Sequence, residues 1–568
     1  MLQPDLALQV RLLADAVRLP AAAASDQVSK VARLTPSGVI TEYTLPGANA
    51  LPQGIATGPD GNLWVTERDS ADKVARMTTS GVFTEYNTLT NPSNPSGIVA
   101  GPDGNMWFTE GLPNSAARVV VGTACTPTGA LATAQTAVST NQYTLQNSDG
   151  AAWQEIDAAN LRVSCTPTAN QAVLLTANAD LFTANAGFNQ DIGIFVSDNG
   201  GGDQLLAWKE SGGFAGTFSP NAAYAQALFN ETNGHAYIFK LKWKTNKNAP
   251  GSTIYSGAGP IGGHFSPTSL VAESFPTGVI PNAAVSTQQY TQSNSDGATW
   301  VPMDATNLKT TLSPGANSTA VLGANVDLFT ANAGVNQDIA IFVSDNGGAF
   351  NLVAWKESGG FAGTFSPNAA FVRATYPMTG GHTYIFRLEW KSNTNAPGTT
   401  LYGGAGPISA QFSPTSIIAQ TIASGANPYS AVSTSQYTLS NSNGVTWQPM
   451  DAALNVTVTP GADTNSIVGA NADLFTNTAG YNQDIGIFVS DNGGADELLA
   501  WKESGGFAGT FSPNAAFAQY TYQMASGHTY VFKLKWKTNR DAPGTTIYAA
   551  AGGPAPFSPT RLTVELTN

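Results

Sequence analysis

From His382 the chain reads His-Thr-Tyr-Ile-Phe-Arg-Leu-Glu-Trp-Lys, and apolar and polar residues alternate along it. In an extended chain Tyr384, Phe386, Leu388 and Trp390 share one face, while Thr383, Arg387, Glu389 and Lys391 share the other, with only Ile385 breaking the polar side. A strand with one buried and one wet face is expected. The segment around Tyr530 repeats the pattern, with Tyr530, Phe532, Leu534 and Trp536 set against Thr529, Lys533, Lys535 and Lys537. Another strand is predicted from Asp191, where Ile192, Ile194 and Val196 fall on one face. It ends at Ser-Asp-Asn-Gly-Gly, whose Asn-Gly pair supplies the positive φ of a tight type I′ hairpin. No helical period appears in this region.

These strands belong to a repeat. Ala-Val-Ser-Thr recurs at Ala137, Ala284 and Ala431, spaced by 147 residues, and Trp153, Trp300 and Trp447 keep that spacing. The sixteen-residue stretch WKESGGFAGTFSPNAA begins at Trp208, Trp355 and Trp501. Three tandem domains are therefore expected, at 137–275, 284–420 and 431–568, joined by loose segments such as PTGVIPNA and TIASGANPYS. Many short alternating strands with Gly, Pro and Asn punctuation predict an antiparallel β-sandwich for each.

A shorter period occupies residues 29–120, ahead of a linker at 121–136. VARLTPSGVITEY at Val31 is answered by VARMTTSGVFTEY at Val74, and GPDGNLWVTE at Gly58 by GPDGNMWFTE at Gly101, both offset by 43. Each unit reads as short strands around a Gly-Pro-Asp-Gly-Asn turn, the pattern of a four-stranded propeller blade. At these residues the sequence resembles the virginiamycin B lyase (streptogramin lyase) family of β-propellers, over about two blades. A third start, ARVVVG from Ala117, does not complete a unit. The resemblance implies a histidine base and a divalent metal in later blades. No histidine precedes His235, so no catalytic position carries over. Two blades cannot close a ring; truncation, packing on a neighbouring domain, or blades from other copies would each cover the open edges. Trp64 and Trp107, at matching positions, are expected in the core between blades.

The closing segments GHTYVFKLKWKT and TIYAAAGGPAPFSPTRLTVEL resemble the terminal strands of C1q/TNF-like jelly rolls, whose heads assemble as trimers. That resemblance implies either a pseudo-trimer within one chain or a linear array of beads. The fold class expected is thus all-β: two propeller-like blades followed by three jelly-roll-like sandwiches.

Composition narrows the functions. Charged residues are 11% of 568 and the formal net charge is −13, so no basic stripe exists to neutralise phosphates, and nucleic acid is an unsuitable partner. No apolar run is long enough for a transmembrane helix. The opening LALQVRLLADAVRLPAAAASDQ resembles a secretory leader interrupted by Arg11, Asp15 and Arg18. A mis-assigned start or an amphipathic helix explains it equally. Cys125 and Cys165 are the only cysteines, and either a single bridge or two isolated thiols is open. This surface chemistry suits an extracellular or cell-surface protein.

Candidate chemistry centres on Trp208, Lys209 and Glu210 with Trp355, Lys356, Glu357 and Trp501, Lys502, Glu503. A tryptophan beside an acid and a base on a Gly-rich loop can stack on a sugar ring and hydrogen-bond its hydroxyls. Against this stands a core tryptophan at a strand end, a solvated Lys-Glu pair, and a loop packing Phe214 and Phe218. His235, His382 and His528 each precede a strand, either meeting near a trimer axis or simply exposed; His264 is replaced by Gln411 and Pro556. Asp198, Asp345 and Asp491 of the hairpins, with Asp191, Asp338 and Asp484, offer oxygen ligands for calcium or merely shape turns. No catalytic triad, phosphate loop or paired-acid pattern recurs in all three copies. The expectation is a non-catalytic binding or adhesion protein for carbohydrate or cell-envelope material. A self-associating filament or coat subunit, and a lyase-like enzyme, are the alternatives.

Overall fold

The computed structural model describes residues 29–568 except 35–38, 48–49, 59–61, 69–71, 79–80, 89, 102–104, 120–124, 128, 213–219, 360–366, 424–426, 506–512 and 554–555. The leader-like segment, the Pro-Asp-Gly tips of the blade turns, and Phe214 and Phe218 lie outside these. Among the described residues there are strands, one 3-10 turn at Ala452–Leu454, and no α-helix. Contacts divide the chain into one unit of Met1–Cys125 with Ser164–Thr168 and Gly234–Tyr237, and a second made of the remainder.

In the first unit the expected strands form, but the 43-residue period is cut elsewhere. Pro52–Thr57, Leu63–Glu67, Lys73–Met77 and Phe83–Asn87 make one complete antiparallel blade. Lys30–Leu34 with Ile40–Thr44 forms a two-stranded sheet, and Pro95–Ala100, Met106–Glu110 and Ser115–Val119 a three-stranded one. A period fixes spacing, not where a blade begins, so the sequence halves read as one unit belong to adjacent blades. Trp64 is buried, stacked on Tyr86 at 5.5 Å and packed on Met106 and Phe108 of the following sheet. Trp107 is 39% exposed, with the Arg118 guanidinium 5.7 Å above its ring, and so departs from the core position expected of it. Cys125 and Cys165 form a disulfide, with Cα atoms 5.4 Å apart.

The second unit holds three sandwiches of one topology. In the first repeat, Thr133–Ser139, Thr268–Ser274, Gln171–Thr183 and Asn221–Glu231 lie side by side, extended by Tyr143–Gln146 and Thr253–Ser256. The facing sheet orders Arg162–Cys165, Tyr237–Thr245, Gln190–Asp198 and Gln204–Ser211. Numbering the eight main strands along the chain, the sheets run first, eighth, third, sixth and second, seventh, fourth, fifth, which is the jelly-roll order. The other two repeats reproduce it. The predicted hairpins form with both central residues at positive φ: Asn199 at 49° and Gly200 at 73°, with Asn346, Gly347, Asn492 and Gly493 alike. Tyr384, Phe386, Leu388 and Trp390 enter the core as their alternation requires. The opposite face is less wet than expected. Glu389 is buried, and Lys391 pairs with Asp338 while lying 5.0 Å above the Trp300 ring.

The repeats close on one another cyclically. Strands Asn221–Glu231, Asn368–Met378 and Asn514–Met524 converge, bringing Tyr224, Phe371 and Phe517 together with ring centroids 3.9, 4.9 and 4.7 Å apart. Asn221 donates to Asn368, Asn368 to Asn514, and Asn514 back to Asn221, at 3.2, 3.3 and 3.2 Å. A second ring runs through backbone: Asn178 Nδ2 reaches the Phe517 carbonyl, Asn325 that of Tyr224, and Asn471 that of Phe371, at 2.9 to 3.2 Å. The Asn568 amide of the third repeat meets the Ala132 carbonyl beside the first. The three copies are therefore a pseudo-trimer within one chain and not a linear array.

Beside the aromatic cluster the copies differ. Gln226, Arg373 and Gln519 occupy equivalent positions, as do Glu273, Gln420 and Glu565. Arg373 pairs with Glu565 at 2.7 Å, and Gln420 bridges Glu565 and Glu273 at 2.8 and 3.2 Å. Burial, then the Glu565 carboxylate, push the Glu273 carboxyl well above the usual range. Arg373→Met should therefore destabilise the full chain by about 3 kcal/mol in chemical denaturation, because Glu565 is left buried and unpaired. Adding Glu565→Gln should recover most of that loss.

Candidate binding site at the repeat junctions

The Trp-Lys-Glu triplets lie on the strands Gln204–Ser211, Asn351–Ser358 and Glu497–Ser504. Each strand pairs with its hairpin partner through a bulge, between Ile194 and Phe195 in the first repeat and at matching positions in the others. The bulge re-aims the residues beyond it. One side of that half-strand then packs on its own sandwich and the other meets the next repeat, so every triplet residue is buried. Trp208 is 3% exposed and Lys209 1%, so the solvated Lys-Glu pair anticipated from sequence does not occur.

The contacts are the same at each junction. Lys209 donates its ammonium to the Pro414 carbonyl, Lys356 to that of Pro559, and Lys502 to that of Pro267. The backbone N–H of Glu210 donates to Asp327, Glu357 to Asp473, and Glu503 to Asp180, at 3.0, 3.1 and 3.0 Å. Trp208 packs against Gly406, Trp355 against Gly552 and Trp501 against Gly259. A Cβ on those glycines would stand 2.6 to 2.9 Å from the indole, and all three have φ between 91° and 105°. Asp180, Asp327 and Asp473 were not legible as site residues, though an acid in an apolar run such as Val-Asp-Leu-Phe was the available signal.

Within the first repeat Asn189 and Asn246 both donate to Glu210 Oε1 at 2.9 Å, and Lys244 pairs with Asp191 while lying 5.1 Å above Trp153. Burial pushes the Glu210 carboxyl up to about 8, aided by the Asp191 charge, and Asp191 itself up to about 6. Glu357 and Glu503 rise likewise to about 8, and Asp338 and Asp484 to about 6. Burial pulls the Lys209 and Lys356 ammoniums down to about 8.

Two junctions hold open clefts among the described residues. The one between the first and second repeats is about 440 Å³. Asp191, Trp208 and Glu210 line one wall, and Gln289, Phe329 and Tyr402 the other. The cavity between the third and first, about 400 Å³, is lined equivalently by Asp484, Trp501, Glu503, Gln142, Phe182 and Tyr255. Phe329 stacks on Tyr402 at 4.9 Å and Phe182 on Tyr255 at 4.8 Å. Of the triplets, tryptophan and glutamate thus face a cleft, whereas lysine is spent on the neighbouring backbone.

The hairpin aspartates lie elsewhere, one per repeat. Asp345 pairs with His382 Nδ1 and Asp491 with His528 Nδ1, both at 2.9 Å. These histidines stack on Tyr384 and Tyr530 of their own repeats, at centroid distances of 6.0 Å, instead of meeting at the axis.

Residues 22–176 match the family model of the Virginiamycin B lyase family, and the N-terminal region is virginiamycin B lyase-like. A streptogramin B lyase structure is 36% identical over 16% of this chain and 31% of its own, with a TM-score of 0.16. The virginiamycin B lyase of Staphylococcus aureus is 34% identical over 17% of this chain and 35% of its own, with a TM-score of 0.15. The chain thus spans about a third of those lyases. The structure of PNGF-II aligns with 71% of this chain and 92% of its own, at 9% identity and a TM-score of 0.23. No curated protein matches the chain.

The buried acids predict a pH dependence. The three glutamates move from 4.5 in the unfolded chain to about 8 when folded, so the folded state holds more protons between those values. Stability they contribute is complete below pH 4.5 and is lost as pH rises through 8. The melting temperature should fall from pH 5 to pH 8, and the triple variant Glu210→Gln, Glu357→Gln, Glu503→Gln should flatten that fall.

Proposed function

We propose that the protein is a non-catalytic binding protein whose three fused jelly rolls form one preassembled head, acting outside the cell on carbohydrate or cell-envelope material. The closed ring of equivalent junctions carries this reading. Fusion makes assembly intramolecular, so the head needs no threshold concentration to form. Its clefts join aromatic walls to a few convergent polar groups, the composition of small-ligand sites. The Cys125–Cys165 bridge suits an oxidising compartment. A lyase reading would rest on the N-terminal region alone, in which no histidine is available as a base.

A glycan array probed with the full chain, together with incubation of the chain with a streptogramin B antibiotic, separates these readings. Retention on glycans with the antibiotic recovered intact is expected. Ring opening of the antibiotic, without glycan retention, would replace binding with catalysis.

A further inference from the structure

Three acids and two lysines converge at each junction. Between the first and second repeats they are Asp191, Glu210 and Asp327 with Lys209 and Lys244. Between the third and first they are Asp484, Glu503 and Asp180 with Lys502 and Lys537. Asp338, Glu357, Asp473, Lys356 and Lys391 repeat the set between the second and third. Both lysines are committed, one to an aspartate of its own repeat and one to a proline carbonyl beside the neighbour's aspartate. One negative charge per junction is left without a counterion, and a buried carboxyl in that position stays protonated.

The shortage is also one of donors. Asp191 and Asp484 are each 1% exposed and line the two cavities, and Oδ1 of each has no hydrogen-bond partner. A neutral hydroxyl would bring acceptors along with its donor, whereas an ammonium brings donors only. The opposite wall of each cavity is a stacked aromatic pair, Phe329 with Tyr402 or Phe182 with Tyr255, next to the junction tryptophan. Aromatic faces beside an acid attract an organic cation through the ring quadrupole. Among the described residues, no junction gathers three carboxylates tightly enough to hold a metal ion.

We propose that each junction cleft is a site for a small organic ligand bearing an ammonium group, held between the acids of one repeat and the aromatic pair of the next. This deepens the binding reading by naming what the clefts accept. It also fails separately, because retention on a glycan array can arise from any surface of the head. Binding places the ligand's ammonium beside the Glu210 carboxyl and within reach of the Asp191 charge behind it, and Glu210 gives up its proton to solvent as the cation arrives. Charge balances: one ammonium enters and one proton leaves.

Isothermal titration of the full chain at pH 7 with glucosamine as probe, and with glucose and N-acetylglucosamine as controls, tests this. Repetition in two buffers of different ionisation heat counts the protons. Glucosamine should bind at more than one site per chain, releasing close to one proton per site, while both controls stay at least tenfold weaker. Glu210→Gln, Glu357→Gln, Glu503→Gln should weaken glucosamine at least tenfold. Should that variant fail to fold, Tyr255→Leu with Tyr402→Leu removes the facing wall and should weaken it too. Equal affinity for glucose, binding without proton release, unchanged affinity in the folded variants, or no glucosamine binding at all would each overturn the proposal.

Discussion

A lysine taken out of water must end on an oxygen, and here Lys209, Lys356 and Lys502 each end on a carbonyl of the neighbouring repeat. That requirement orders the second unit. A charge buried this deeply adds little net stability, because desolvation offsets its attractions, yet removing its partner costs several kcal/mol. The junctions therefore act on register: a repeat shifted or rotated against its neighbour would strand Lys209, Asp327 and the Glu210 amide together. Adhesion comes from elsewhere, chiefly Tyr224, Phe371 and Phe517, whose burial contributes about 4 kcal/mol per ring.

Fusion has consequences that a true trimer would not permit. Identical subunits place identical side chains around an axis, so three copies of the second repeat would gather three arginines at the Arg373 position with no carboxylate opposite. In the fused chain Arg373 faces Glu565, Gln420 bridges Glu565 and Glu273, and the Gln226 amide reaches the Gly323 carbonyl at 3.1 Å. The axial layer is complementary only in this cyclic order. The outer triplets and asparagine rings, which every repeat uses in the same way, have stayed alike. Identity goes with equivalent partnering: Asn221, Asn368 and Asn514, each bonded to the next copy of itself, are alike, whereas Gln226, Arg373 and Gln519, whose partners differ, are not.

What could be read from sequence was local. Alternation from His382 and Asp191 gave strands and faces because side-chain direction has period two, and Asn-Gly gave the hairpins because few residues tolerate positive φ. The burial of Lys209 could not be read, since its acceptor lies 205 residues away and nothing in Trp-Lys-Glu-Ser distinguishes a solvated strand end from one capped by a neighbour. The alternation itself was misleading at Lys391 and Glu389, whose outward face is covered by Asp338 and Arg387. Blade phase failed for another reason: a repeating unit looks the same wherever it is cut. Trp64 and Trp107 occupy the same place in their sheets, and only the presence of Met106 and Phe108 against the first separates a core residue from a half-exposed one.

The clefts and the ring are not independent features. Neither wall makes a cavity alone, because Asp191 and Trp208 belong to one repeat while Phe329 and Tyr402 belong to the next. The same tryptophan that lines the cleft presses on Gly406, where a side chain would collide with the indole, so the loop shaping the far wall is fixed by docking itself. Any ligand that fills a cleft binds only the docked arrangement, and by mass action it stabilises the ring over states in which a repeat has come away. With equivalent groups at every junction, occupancy of one cleft restrains the repeat that contributes the opposite wall of the next. A ring that positions such sites would thereby be strengthened by a ligand in them.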